Sequence, residues 1–334
     1  MQNIKRTIDN SVFFLIKKLS EVMNPLVLNF INEKNKLLIF YFHGLYENES
    51  QKQLNHVDPQ NNITVPQFVE FIEYYLHHKY NFIKPEDLLS DLPNDKAYIM
   101  LTFDDGYFNN TLAIEILNKY KIPATFFITT KNMVDHTSFW WDIIFKYRIR
   151  KGVPLKKIRE EQSYLKSFKY NFIDSYIAEH FGSESIIPWS DIDRPLTIEE
   201  LGNISQNPLI SIGNHTHNHA ILTNYDATEI REEFRKSNSI LSEILGFRPE
   251  FIAFPNGNYN TDIVEICKQE GFIITFNTVG KKNQLDILRD NSILNLNRFM
   301  AQTSSIKKYG EYDRLGYTPH SLYVNVKHSM NVFK

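Results

Sequence analysis

Apolar residues fall along this chain in two rhythms. Short, mainly apolar runs at 36–42, 98–103, 124–129, 208–213, 251–254 and 271–276 have the length and the β-branched or aromatic content of buried strands, and the alternating stretch 293–298 reads as a further one. Between them the spacing changes to steps of three and four. Over 65–80, Phe68, Phe71, Ile72 and Tyr75 line one helical face, and Pro66 suits a first turn. Helices are also predicted over 109–120, 226–246 and 261–270, with Asp226 and Glu229 forming a capping box at the start of the second. Strands alternating with helices predict an α/β chain built on a mostly parallel sheet or barrel.

Four stretches depart from this alternation. Residues 1–35 carry Ile8, Val12, Leu15, Ile16, Leu19 and Val22 at helical spacing, with Lys5, Arg6, Lys17 and Lys18 on the remaining surface, until Pro25 interrupts. That pattern suits a packed helix or one lying on a membrane surface. Residues 46–62 are polar and rich in Asn and Gln, and predict an exposed loop. Residues 131–195 read as a helical insertion. It opens on Phe139-Trp-Trp-Asp142 and carries Lys146, Arg148, Arg150, Lys151, Lys156, Lys157 and Arg159. These cations suit a solvated face, or contact with an anionic substrate group or lipid headgroup. The tail, 301–334, shows no clear period. The expected organisation is an N-terminal helical segment (1–35), a single α/β domain (36–300) interrupted by the insertion (131–195), and a C-terminal tail (301–334).

Composition narrows the classes. A chain of 334 residues can bury a sizeable core. Its formal net charge of −2 gives no field that would gather nucleic acid. The single cysteine, Cys267, excludes an intrachain disulfide and a cysteine-based zinc site, and its helical setting predicts a packed thiol. No run approaches the roughly 18 apolar residues of a membrane span. The run 12–16 is shorter than the roughly 7–15 residues of a signal peptide's apolar region. The expected location is the cytoplasm, with peripheral contact at the inner face of the membrane as an option.

The chemistry collects at strand ends. The run 98–103 ends in Asp104-Asp105-Gly106, and 208–213 is followed by His215-Thr-His-Asn-His219. Neighbouring strand side chains diverge, so both carboxylates reach one site only where the backbone turns, as Gly106 permits. In a parallel sheet or barrel the carboxyl ends of separate strands share one rim. Here that rim collects His43, Asp104, Asp105, His215 and His219. One helical turn would put His215 and His219 on the same face. With a carboxylate they make a two-histidine, one-carboxylate metal site with open positions. The second carboxylate is then an adequate base, because a cation lowers the pKa of water toward neutrality. The expected reaction is metal-assisted hydrolysis of an amide or ester, with a histidine across the site to protonate the leaving amine.

Thr102-Phe-Asp-Asp-Gly106, His215-Thr-x-x-His219 and Phe254-Pro-x-Gly257 resemble the first three motifs of the polysaccharide deacetylase (NodB-homology) superfamily, of carbohydrate esterase type. The resemblance covers about 36–130 and 196–300. It implies a distorted (β/α) barrel, Asp104 as general base, and Asp105, His215 and His219 as metal ligands, with His217 a bystander. Three departures qualify it. Asp105 and His215 are 110 positions apart, a wide separation that the insertion explains. Ala253 stands where the third motif usually has a base-orienting arginine, a role that Arg298 is expected to take. No histidine follows a late Leu-rich strand; instead 37–43 has that form at the start. This is similar to the permuted order of the poly-N-acetylglucosamine deacetylases and makes His43 the expected general acid.

The resulting expectation is a metal-dependent deacetylase acting on the N-acetyl group of an amino sugar in a glycan, glycolipid or nucleotide-linked precursor. Its cofactor is a divalent cation, zinc first, with iron, manganese, cobalt or nickel also suited to the ligands. Phe139, Trp140 and Trp141 form either an apolar wall for the substrate or the insertion's own core. Two rival functions are a hydrolase of non-sugar amides and a catalytically inactive carbohydrate-binding relative, the latter suggested by Ala253. Oligomeric state is left open.

Overall fold

The structure, a computed structural model, is described over residues 30–60, 63–288 and 293–301, with scattered positions in 14–28 and 311–315. Ile8, Val12 and most of the 301–334 tail lie outside the described residues. Leu15, Leu19 and Val22 are helical but exposed, which does not fit the packed-helix reading of that segment.

The first strand, Lys36–Phe42 (β1), is buried from Leu37 onward. A small parallel sheet pairs Leu45–Tyr46 (β2) with Ile63–Thr64 (β3). The main sheet continues with Tyr80–Phe82 (β4), Ala97–Phe103 (β5), Ala124–Ile128 (β6), Ile210–Asn214 (β7), Phe251–Ala253 (β8), Ile274–Phe276 (β9), Asn283–Gln284 (β10), Leu294–Leu296 (β11) and Phe299–Met300 (β12). Its order is β10-β1-β5-β6-β7-β8-β9-β11, with β4 against β5 and β12 against β1. All pairings are parallel except β1 with β10.

β1 runs beside β5 in register from Lys36 opposite Ala97 to Phe42 opposite Phe103. On its other edge Phe40 and Tyr41 face Phe299 and Met300 of β12. Only Asn297 and Arg298 separate β11, beside β9, from β12, beside β1. That two-residue passage nearly closes the sheet into a barrel. Asn283 secures the seam: its Nδ2 donates to Asn297 O (2.9 Å), and its Oδ1 accepts from Asn297 N (2.9 Å). The expected α/β fold, a mostly parallel barrel with helices, is what the chain adopts.

Alternation along the strands separates two apolar cores. Leu37, Ile39, Tyr98, Met100, Phe127, Phe251, Ile274, Phe276 and Leu296 form one cluster inside the barrel. Leu38, Phe40, Phe42, Ile99, Leu101, Phe103 and Phe126 face the surrounding helices. The first of these, Val65–His77 (α1), buries Phe68, Phe71, Ile72 and Tyr75 and starts on a Thr64/Gln67 capping box with Pro66 in its first turn. The next, Thr111–Tyr120 (α2), ends where Lys121 turns left-handed. After β6 come Thr130–Asp135 (α3), Trp140–Arg150 (α4), Leu155–Leu165 (α5), Tyr170–Phe181 (α6) and Ile198–Ser205 (α7). Ala227–Leu245 (α8) opens on the Asp226/Glu229 capping box and stops at Gly246. It packs with Thr261–Gln269 (α9) around Ile252, Phe254 and the buried Cys267.

The insertion has its own core of Phe139, Trp140, Trp141, Ile144, Ile158, Leu165 and Ile177. A fully buried ion pair, Lys146 to Asp193 at 2.7 Å, ties α4 to the returning chain, where Asp193 also accepts from Trp189 N and Ser190 N. Most of the remaining cations are likewise engaged. Arg148 pairs with Glu161, Lys156 and Lys157 with Glu160, Arg159 with Asp58, and Arg150 lies over the Trp189 ring. That pairing favours a satisfied face over a lipid-binding one. The 46–62 stretch is less exposed than its polarity suggests. Tyr46 and Asp58 are buried, because Asp58 finds partners on α5.

Candidate active site

The interior-facing series Tyr98, Met100 and Thr102 on β5 leads directly to Asp104, which is 3% exposed. Its N–H donates to Phe42 O (2.8 Å), so the backbone is still held in the sheet there. Regular alternation would send Asp105 to the helix side. Instead Asp105 takes φ 74° and Gly106 φ 87°, and the two left-handed residues swing the second carboxylate back toward the mouth. The turn therefore begins one residue before the glycine. Thr129 N donates to Asp105 O (3.2 Å) and fixes it to the end of β6.

His215 and His219 share the site, but not through a helical turn. Residues 215–219 form a loop, with Thr216 at φ 65° and His219 at φ 50°. Its own polar groups hold it. Asn214 Oδ1 accepts from Thr216 N (2.6 Å), Thr216 Oγ1 from Ala220 N (2.8 Å), and Glu233 Oε2 from His217 N and Asn218 N. These side-chain bonds replace the helical ladder that the i, i+4 spacing suggested. His217 turns to Thr130 Oγ1 (2.9 Å), and burial lowers its pKa to about 4.

Asp105 Oδ1 lies 3.3 Å from His215 Nε2 and 3.3 Å from His219 Nε2. One donor atom from each of the three residues falls within 4.8 Å of the others. His215 Nδ1 donates to Ala253 O (2.8 Å), which leaves Nε2 as the ring's lone-pair nitrogen. Both oxygens of Asp105 are buried without a hydrogen-bond donor. The pKa of His219 is shifted down by burial, against the pull of Asp105. A buried carboxylate without donors, facing two imidazole nitrogens, is a donor set consistent with a divalent cation.

Arg298 is fully buried and grips Asp104 with both prongs, Nη1 to Oδ1 at 2.7 Å and Nη2 to Oδ2 at 2.8 Å. Nη1 also donates to Thr102 Oγ1 (3.0 Å), and Nε to Asn277 O (3.0 Å). The carboxylate thus has a guanidinium partner from Arg298, while Ala253 packs inside the barrel. His43, just past β1, lines the same cavity of about 320 Å³ as Asp104, Asp105, His215 and His219. The structure brings together all five strand-end residues that the sequence singled out.

Trp140 and Trp141 are buried in the insertion's core and also line the cavity, whereas Phe139 belongs to the core alone. The Trp141 ring lies 4.5 Å from that of His219, and its Nε1 donates to Tyr107 Oη (2.8 Å). Tyr107 Oη donates in turn to the buried Asp142 (2.6 Å), whose other oxygen accepts from Asp58 N (2.7 Å). The insertion therefore braces a ligand of the candidate metal site. Trp141→Ala should weaken metal affinity about 10–100-fold, the usual scale for losing a ligand's support. Metal titration followed by elemental analysis would show it, and unchanged affinity would remove Trp141 from that role.

Sequence reasoning missed Asp58, Tyr107 and Lys166. Asp58 accepts from Arg159 Nη1 (2.6 Å) and Gln162 Nε2 (2.5 Å), yet its sequence neighbourhood is that of a surface loop. Tyr107 had one signal, an aromatic directly after Asp-Asp-Gly. Lys166 had none.

The model of the family described as polysaccharide deacetylase matches residues 91–274. That is more than half of the chain, and the chain belongs to the polysaccharide deacetylase family. It is thereby a hydrolase of carbohydrate-esterase type acting on amide bonds, and membership implies an acetylated polysaccharide as substrate. Among solved structures it is similar to the Streptococcus pyogenes deacetylase PplD in complex with acetate (19% identity, TM-score 0.56, covering 83% of this chain and 97% of that one). It also resembles IcaB from Ammonifex degensii (17%, 0.54, 84% and 97%) and a de-N-acetylase from Aggregatibacter actinomycetemcomitans (15%, 0.52, 83% and 99%). At these identities the likeness speaks for the fold. A search of curated protein sequences finds no match.

Proposed function

We propose that this protein is a metal-dependent N-deacetylase that removes the acetyl group from an amino sugar in a glycan or glycolipid precursor. One observation carries the reading: a donor set of Asp105, His215 and His219 opens onto a cavity beside Asp104, which Arg298 holds by both carboxylate oxygens. A divalent cation held by the three ligands, zinc in our reading, supplies Lewis acidity toward the acetyl carbonyl and lowers the pKa of water. Asp104 accepts the proton of the attacking water, and Arg298 fixes which way the accepting oxygen points. His43 stands at the end of the neighbouring strand and donates a proton to the departing amine. Tyr41, Trp140, Trp141 and Phe254 exclude water from the reacting groups.

β1 comes first in the chain yet lies beside β12, the last strand of the barrel. We read this as the permuted order of the poly-N-acetylglucosamine deacetylases, with His43 as the displaced acid. Arg298 also answers the doubt raised by Ala253, since the base has a guanidinium partner from another strand end. This favours turnover over a binding-only relative.

The test is acetate release from nucleotide-, lipid- and oligomer-linked acetamido sugars, with metal content measured on the same sample. The expected result is release that a chelator abolishes and that His43→Ala lowers about 100-fold or more. Tight sugar binding without acetate release would overturn the reading, as would release only from non-sugar amides.

No helix among the described residues is long and apolar enough to cross a membrane. We propose a cytoplasmic site of action with peripheral contact at the inner membrane face, a reading supported only by the basic and apolar pattern of residues 5–23. Deleting residues 1–30 should abolish liposome binding, and unchanged binding would overturn it.

A further inference from the structure

The insertion does more than wall the cavity with tryptophans; it also brings cations to it. Arg159 lines the mouth, but its charge is answered by the buried Asp58. Deeper in, Arg298 is likewise matched by Asp104. Lys166, at the C-terminal end of α5, is different. The one polar partner of its ammonium among the described residues is the neutral Asn256 Oδ1, at 2.7 Å. Asn256 sits in the Phe254-Pro-Asn-Gly257 turn and lines the same cavity.

Lys166 is exposed as a residue, and it lines the cleft with its ammonium bonded to Asn256. Burial holds its pKa below the ordinary lysine range, partly offset by the pull of Asp58 and Asp105. The two matched pairs cancel. With a divalent cation on Asp105, the cleft then carries excess positive charge, part of it on Lys166. A neutral acetamido sugar offers that ammonium only neutral acceptors such as the one it already has in Asn256, whereas an oxyanion offers a charge-assisted hydrogen bond.

We propose that Lys166 is a specificity residue that binds an oxyanion, phosphate or carboxylate, carried by the substrate next to its acetylated sugar. The substrate class is therefore an anionic amino-sugar derivative rather than a neutral homopolymer. The kinetic arm of this inference rests on the deacetylase reading, while the binding arm stands without it. The bond to Asn256 gives way to the substrate's oxygens, and Asn256 stays in reach as a neutral donor to them.

The experiment uses the full chain, wild type and Lys166→Met, with three probes: N-acetylglucosamine 1-phosphate, N-acetylmuramic acid and the neutral methyl N-acetylglucosaminide. Calorimetric affinity is measured for each, and acetate release where it occurs. Wild type should prefer an anionic probe to the neutral one by roughly ten-fold or more, the scale of one hydrogen bond to a charged group. The preferred probe identifies the anion as phosphate or carboxylate. Lys166→Met should erase the preference and leave neutral-probe affinity unchanged, Lys166→Arg should keep much of it, and added salt should shrink it. Equal wild-type affinities, or a preference that survives in Lys166→Met, would overturn the inference. So would a parallel loss for all three probes, which marks a purely structural lysine. A charge preference in binding with no acetate released from any probe would support the lysine's role and count against the deacetylase reading alone.

Discussion

Asp104→Asn should lower acetate release by about 10²–10⁴-fold, the usual contribution of a positioned general base. The substitution is nearly isosteric, and the amide oxygen can still accept from one prong of Arg298, although the new NH2 group then faces the other. What it loses is the ability to take a proton. Because Asp104 is not among the three converging donors, metal content should stay near wild type. The pairing of these two readouts is the point of the test. Activity lost with metal retained assigns Asp104 to proton transfer, whereas loss of both would make it part of the metal site. Asp105→Asn on the same protocol should lose metal, since its two oxygens have no hydrogen-bond donor and face the imidazoles.

Arg298→Ala should cost about 3–5 kcal/mol of stability, the typical penalty for leaving one member of a buried ion pair alone. The side chain is fully buried and makes four hydrogen bonds that end with its removal, two to Asp104 and one each to Thr102 and Asn277, and it lies against the rings of Tyr41, Phe127 and Phe276. Denaturant unfolding should show a lower midpoint, and activity should fall with it because Asp104 loses its orientation. The double variant Asp104→Leu with Arg298→Met separates the two effects. It should recover much of the stability while staying inactive. An unfolding free energy for Arg298→Ala within about 1 kcal/mol of wild type would show that water enters the barrel mouth and that the pair is less secluded than it looks.

Much of this site was legible because it stands at strand ends. An apolar run that stops at a carboxylate or histidine can be read from the sequence, and Asp104, Asp105, His215, His219 and His43 all stand at such ends. Arg298 was reachable for the same reason. What escaped was geometry set by neighbours. The 215–219 loop has helical spacing, yet Asn214, Thr216 and Glu233 bond its backbone into another shape. Asp58 lies in a polar stretch whose composition predicts solvent, and only contact with α5 buries it. Strand edges were blurred for a similar reason: the run 293–298 contains a strand, a crossing and the approach to another strand, and periodicity does not mark the crossing.

The seam between β11 and β12 has a consequence for how the molecule would fail. Arg298, which in the proposed mechanism steers the proton acceptor, is one of the two residues that carry the chain across the gap in the ring. An excursion that parted β12 from β1 would pull on the residue next to Phe299, whose guanidinium holds the Asp104 carboxylate. Catalytic competence is then a gauge of circumference: a molecule with every strand formed but its ring ajar would keep its shape by most spectroscopic measures and have already stopped working.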